Sequence, residues 1–144
     1  QERLDFAKNL GIEYVINSRD ENAEERIREI TGGVMAQQVM ECSGANAAVR
    51  ATLDYVSHAG RITLTGWPKT ETSLPTDVIT RKEIDIRGAR TSANEFEEAI
   101  DMICSKKVDM AKILTKTIAI DEAPEIIRDI EKNPNRYMKV VVTM

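Results

Sequence analysis

Two strand-ending turns hold the residues best placed for chemistry in this chain: Ser43-Gly44, and Thr65-Gly66 followed by Trp67-Pro68. If their strands lie side by side and parallel, both turns fall on one edge of the sheet, in the crevice where open α/β sheets bind ligands. Each also reads as a plain strand-ending turn, and Trp67-Pro68 as a hinge and wall rather than a direct contact. Glu41 is a carboxylate within an otherwise apolar strand, either a buried structural acceptor or a site residue. The single histidine, His58, sits where a helix ends and reads as a C-terminal cap favourable to the helix dipole. Cys42 and Cys104 are expected to be reduced, inert core thiols, as in a cytosolic protein. With one histidine, no CxxC and no HxxxH, this chain cannot build a normal zinc site. None of its seven glycines forms GxGxxG, so a nucleotide site here would lack its phosphate-binding turn.

The element that must position these residues runs from Val39 to Gly66 and reads as strand, turn, helix, turn, strand. The first strand is Val39 to Cys42. A helix from about Asn46 to Ser57 carries Val49, Leu53 and Val56 on one face, the period of a helix lying on a core. Gly60 breaks the chain, and Ile62 and Leu64 mark the second strand. Two apolar strands joined by such a helix are satisfied as parallel neighbours with a right-handed crossover.

Around this unit the alternation continues. A helix from Glu2 to Leu10 closes at Gly11, and Tyr14 to Asn17 is expected as a strand. Asn22 to Glu25 has capping-box spacing before a helix with Ala23, Ile27 and Ile30 that stops at Gly32-Gly33. Pro75 to Lys82 gives one or two helical turns, and Ile84 to Gly88 a short strand. Ser92 to Glu95 is a second capping box, with Phe96, Ala99, Ile100 and Ile103 as the buried face of its helix. Lys112 to Ile120 reads as extended, and Asp121 as the cap of a helix bearing Ala123, Ile126, Ile127 and Ile130. Tyr137 to Thr143 is the final strand. The fold class is α/β with a mostly parallel, doubly wound, partial Rossmann-like sheet followed by helix-strand segments.

At 144 residues, 42% hydrophobic and 31% charged, the chain is an ordinary soluble domain by composition. Its net charge of −4 argues against a nucleic-acid partner, and no apolar run approaches a membrane span. The chain opens on a helix where a doubly wound fold normally opens on a strand. The expectation is therefore a fragment that lacks the first strands of its domain.

Taken together, ERLDFAKNLGIEYVIN, VMECSGANAAV, GRITLTGWP, RKEIDIRGAR and YMKVVV resemble the zinc-dependent medium-chain alcohol dehydrogenase family, nearest its polyol, threonine and sugar-alcohol branch. The resemblance implies that residues 1–89 are the later part of an NAD(P)-binding Rossmann domain. Residues 90–144 would then be the C-terminal segment that packs with the catalytic domain. It implies a parent enzyme, cytoplasmic and zinc-containing, that oxidises a secondary alcohol on a small alcohol or polyol by hydride transfer to NAD or NADP. The zinc ligands and the glycine fingerprint would lie outside this chain, which alone would be inactive. A homodimer or tetramer would form through strand 84–88, without nucleic-acid or membrane partners. An alternative from another class is a non-catalytic nucleotide-binding or dimerisation module.

The same resemblance assigns residues. Arg3 falls by the adenosine ribose, and Ser43 and Gly44 on the turn beside the adenosine. Thr65, Gly66 and Trp67 approach the nicotinamide ribose and carboxamide, with Ala89, Arg90 and Thr91 next along the nicotinamide. Lys139 falls on the pyrophosphate, where a cation is a sensible partner. Arg3 and Arg90 also read as solvated surface arginines, and Lys139 as an edge-strand charge.

Overall fold

The computed structural model describes residues 1–90 and 92–144. In chain order the helices are α1 (Glu2–Asn9), α2 (Ala23–Ile30), α3 (Asn46–Tyr55), α4 (Thr76–Lys82), α5 (Phe96–Cys104), α6 (Met110–Ile113) and α7 (Ala123–Lys132). The strands are β1 (Ala36–Glu41), β2 (Val56–Leu64), β3 (Asp85–Gly88), β4 (Leu114–Ala119) and β5 (Lys139–Thr143). They form two compact units, Ile16–Thr91, and Gln1–Val15 with Ser92–Met144. Both units are α/β and every strand pair is parallel.

The Ile16–Thr91 unit is a three-stranded sheet in the order β1-β2-β3. Its register aligns Glu41 with Leu64 and Leu64 with Gly88, so the three strands finish level on one edge. The expected parallel pairing of the first two strands is borne out. α2 starts because the Asn22 side chain accepts from the N–H groups of Glu24 (3.0 Å) and Glu25 (3.3 Å). It stops at Gly32 and Gly33, whose positive φ angles of 61° and 90° suit glycine. The core gathers Leu53 from α3 and Val56 and Ile62 from β2, with Val39, Leu74, Val78, Ile79, Ile84 and Ile86 packed around them.

The α3–β2 junction corrects the sequence reading. α3 ends at Tyr55, and Val56, expected on the helix, already has extended backbone with φ −79° and ψ 142°. Extended geometry lets Val56 reach the core from the strand, where it is fully buried. His58 therefore lies exposed in β2 and caps no helix. The C-terminal carbonyls of this helix are met instead by Lys82, whose Nζ donates to the carbonyls of Leu53 (2.7 Å) and Val56 (3.1 Å). A cation there answers the negative end of the helix.

Tyr14 to Asn17 is not a strand. A strand needs a neighbour for its backbone hydrogen bonds, and no described strand pairs with this segment. Cys42 and Cys104 are free, as expected, but exposed rather than in the core. Cys42 lies one residue past the end of β1, and Cys104 ends a helix with no buried residue.

In the other unit, β4 and β5 pair in parallel, and Ile118, Ile126 and Tyr137 are buried. Pro124 occupies the first turn of α7, where its missing N–H costs nothing. Glu122, not Asp121, takes the cap position of α7, because Ile120–Glu122 forms a 3-10 turn before it. Met110–Ile113 is a short helix, so the extended run begins only at Leu114. At α5 the cap works in reverse of the expected box: Glu95 accepts from the Ser92 hydroxyl (3.0 Å) and from the Ala93 N–H. The apolar face of α5 is exposed, with Phe96 at 71%, Ile100 at 57% and Ile103 at 45%. Its helical period was legible, but no described element covers it.

Candidate functional site

The level ends of β1, β2 and β3 deliver three turns to one edge: Ser43-Gly44, Thr65-Gly66-Trp67 and Ala89-Arg90. Glu41 ties the first two together. Its backbone carbonyl accepts from the Thr65 N–H (2.8 Å), the Gly66 N–H (2.9 Å) and the Thr65 hydroxyl (2.8 Å). Its carboxylate accepts from the Ser43 N–H (2.8 Å), the Ser43 hydroxyl (2.5 Å) and the Gly44 N–H (3.1 Å). Burial by itself would raise the Glu41 pKa. The Ser43 hydroxyl and the Gly44 and Ser43 N–H groups outweigh that and hold it below the ordinary value of 4.5. Glu41 is thus the structural acceptor of the two open readings, a charged clamp on the turns rather than a free acid.

Both glycines are required by this clamp. A Cβ on Gly66 would lie 2.5 Å from the Glu41 Oε2 and closer still to the Gly44 backbone nitrogen. A Cβ on Gly44 would lie 2.5 Å from the Trp67 carbonyl oxygen, and Gly44 also has a φ of 68°. Only bare backbone lets the two turns cross at this distance.

Beyond the crossing opens a groove of about 540 Å³ lined by Leu64, Thr65, Gly66, Trp67, Pro68, Gly88, Ala89 and Arg90. That is within the roughly 300–1,000 Å³ common for small-molecule sites. Trp67 is 70% exposed, and the Arg90 guanidinium lies over its ring, 4.5 Å from the centroid. Five of the ten residues singled out from the sequence, Thr65, Gly66, Trp67, Ala89 and Arg90, therefore share one surface. Ser43 and Gly44 brace it from behind. Arg3 and Lys139 belong to the other unit. The Arg3 side chain donates to the Pro134 carbonyl (2.7 Å), and Lys139 begins β5. Thr91 lies outside the described residues. Leu64 and Gly88 were not singled out from the sequence as lining, whereas Pro68 was expected with Trp67 as a wall and does line the groove. The signal for Gly88 was its place at the end of the third strand.

A second cleft, about 410 Å³, lies in the other unit between Lys116, Glu125, Arg128, Asp129, Lys132, Arg136 and Tyr137. Its chemistry is inward-looking. The Tyr137 hydroxyl (2.5 Å) and Asn133 (2.7 Å) donate to Asp129 and, with Arg136, hold its carboxyl below the ordinary range.

With this geometry in place, the relatives can be read. Residues 1–105 match the family described as zinc-binding dehydrogenase. The chain belongs to that family. It is 52% identical over 140 residues to a zinc-type alcohol dehydrogenase-like protein of Haemophilus influenzae, covering 97% of this chain and 41% of the relative. It is 29% identical over 141 residues to the sorbitol dehydrogenase of Bacillus subtilis, covering 97% of this chain and 40% of the relative. A protein of Escherichia coli CFT073, described as a short chain alcohol dehydrogenase complexed with the cofactor NADH, superposes with a TM-score of 0.91 at 25% identity. That superposition covers 100% of this chain and 42% of the other. The chain thus spans about two-fifths of the length of these relatives. The family is one of oxidoreductases, and the fold matches its nucleotide-binding region.

No group of three or more histidine, cysteine, aspartate or glutamate side chains that could hold a metal ion occurs among the described residues. They do not fit a zinc ion. No helix among the described residues is long and apolar enough to cross a membrane.

Proposed function

We propose that the groove over Thr65, Gly66, Trp67, Ala89 and Arg90 receives the nicotinamide half of NAD or NADP, with Ser43-Gly44 beside the adenosine half. The observation that carries this reading is the glycine crossing. Gly44 and Gly66 meet at the level ends of two parallel strands, with an open groove in front of them. A bound nicotinamide supplies a hydride acceptor. This chain's own residues supply shape. The Glu41 clamp fixes the turns, and Trp67 and Pro68 wall the groove. Residues 1–89 are then the later part of the dinucleotide-binding domain, and 90–144 the segment that packs with the catalytic domain.

The activity proposed for the protein built on this chain is oxidation of a secondary alcohol on a small alcohol or polyol. Its sorbitol dehydrogenase relatives support that substrate class. The 144 residues alone are expected to be silent, because they bring no zinc ligand set and no glycine fingerprint.

Calorimetric titration of the chain with NAD and with NADP, beside metal analysis and a sorbitol-dependent NADH assay, tests this. Expected are weak dinucleotide binding, no zinc and no turnover. Micromolar affinity or any alcohol-dependent reduction of the cofactor would overturn the silent-chain reading. A complete absence of dinucleotide binding, even at high millimolar ligand, would remove the groove assignment and leave the non-catalytic module.

A further inference from the structure

We infer that Arg90 is the anion reader of the groove, and that the ligand seated there presents a carboxylate or phosphate to it. The inference rests on the reading that the groove is a ligand site and adds the chemical class of what it recognises.

The argument is one of unmet hydrogen-bonding capacity. Of the eight lining residues, Arg90 is the only one with a charged side chain. The other donors of the lining are largely occupied within the fold. The Thr65 N–H, Thr65 hydroxyl and Gly66 N–H all donate to the Glu41 carbonyl, and the Ala89 N–H donates to the Leu64 carbonyl (3.0 Å). Arg90 differs from the neighbouring arginines of the same sheet. Arg61 (2.9 Å) and Arg87 (3.0 Å) both pair with Asp85. Arg90 forms no salt bridge or hydrogen bond among the described residues; its partner is the face of Trp67.

Stacking on a ring fixes the plane of a guanidinium while leaving its edge donors free. Two parallel N–H groups on that edge match the two oxygens of a carboxylate or phosphate. Two sources could bring the anion: an acidic alcohol substrate, or a phosphate of the cofactor.

Trp67 is the only tryptophan of the chain, so its fluorescence reports this groove directly. The chain is titrated in the millimolar range with D-gluconate, with D-sorbitol as its uncharged counterpart, and with nicotinamide mononucleotide. NAD and NADP are titrated in parallel. Arg90→Gln, Arg90→Lys and the control Arg87→Gln are compared, each checked for native circular dichroism. Gluconate should bind at least about tenfold tighter than sorbitol, and Arg90→Gln should remove that preference while Arg90→Lys keeps part of it. Arg87→Gln should change affinity less than about twofold. An Arg90-dependent response to nicotinamide mononucleotide but not to gluconate assigns the anion to the cofactor phosphate; the reverse assigns it to the substrate. Equal binding of gluconate and sorbitol with no Arg90 dependence of nicotinamide mononucleotide binding overturns the inference. So does an equal loss in Arg87→Gln. A response to gluconate without any to NAD or NADP leaves the anion site standing and sinks the cofactor reading.

Discussion

Gly66 is the residue on which the site geometry turns, because atoms of two residues occupy the space a side chain would take. A methyl group there meets the Gly44 backbone, which cannot swing aside, and the Glu41 carboxylate, which its hydrogen bonds to Ser43 and Gly44 hold in place. Gly66→Ala should therefore cost about 1–3 kcal/mol of stability through overpacking. It should also push the Trp67 turn away from Ser43-Gly44, shifting the Trp67 emission maximum in the folded state. An alanine variant with wild-type stability and emission would show that the crossing is looser than described. Glu41 is the complementary case. Its side chain is 4% exposed and holds the Ser43 N–H and hydroxyl and the Gly44 N–H. Glu41→Ala leaves those donors without an acceptor, at a cost of about 1–3 kcal/mol in chemical denaturation. From the sequence, an acid inside an apolar strand already suggested a buried acceptor. What could not be read was its partner set, since a carboxylate gives no sign of which backbone donors a turn will bring to it.

At the scale of elements, β3 and α5 present opposite problems. β3 has β2 on one side and no described strand on the other. N–H groups alternate sides along a strand. Because Ala89 donates inward to Leu64, Ile86 aims its N–H outward. Joining two such edges across a two-fold axis is the assembly proposed for this protein. Ile86→Pro removes an outward donor while leaving the ladder to β2 intact, so sedimentation should change from dimer to monomer, with a stability loss from the Ile86 side chain that packs on the core. A monomer before the substitution, or a dimer that survives it, would exclude this edge. α5 shows an apolar stripe that buries nothing among the described residues. Ile100→Lys should change stability by less than about 0.5 kcal/mol, whereas Leu53→Ala in the core should cost about 2–5 kcal/mol. If both cost alike, the stripe is covered after all. Periodicity made both helices legible, because it reports which residues share a face. It cannot report whether anything lies against that face. Tyr14 to Asn17 failed as a strand for the same reason: β-branched and aromatic residues suit a sheet, but pairing depends on a neighbour.

For the molecule as a whole, the β1-α3-β2 unit was legible because its strands, helix and turns are contiguous, so local pattern fixed the topology. The Lys82–Leu53 cap on α3 and the Arg90–Trp67 stack join residues 29 and 23 positions apart, and no local period announces such pairs. Electrostatics gives the last prediction at this scale. Glu41, Asp85, Glu95 and Asp129 are all held below their ordinary values, 4.5 for glutamate and 3.8 for aspartate. The causes are different hydrogen bonds: the Arg61 side chain leads at Asp85, the Ala93 N–H at Glu95, and the Tyr137 hydroxyl at Asp129. A carboxylate whose folded pKa is lowered binds fewer protons folded than unfolded, so acid favours the unfolded chain. Its contribution is present above the unfolded pKa and is lost as pH falls through the folded one. Tyr137 has the opposite shift, raised above 10.0 chiefly by its hydrogen bond to Asp129, so its contribution disappears as pH climbs through that raised value. The urea midpoint should therefore be flat through neutral pH, fall below about pH 4.5, and fall again above about pH 10. Glu41→Gln should have a lower midpoint at neutral pH and a shallower acid limb, since it no longer loses a charged acceptor. An acid limb of the same steepness in Glu41→Gln and wild type would show that Glu41 is not ionised in the clamp.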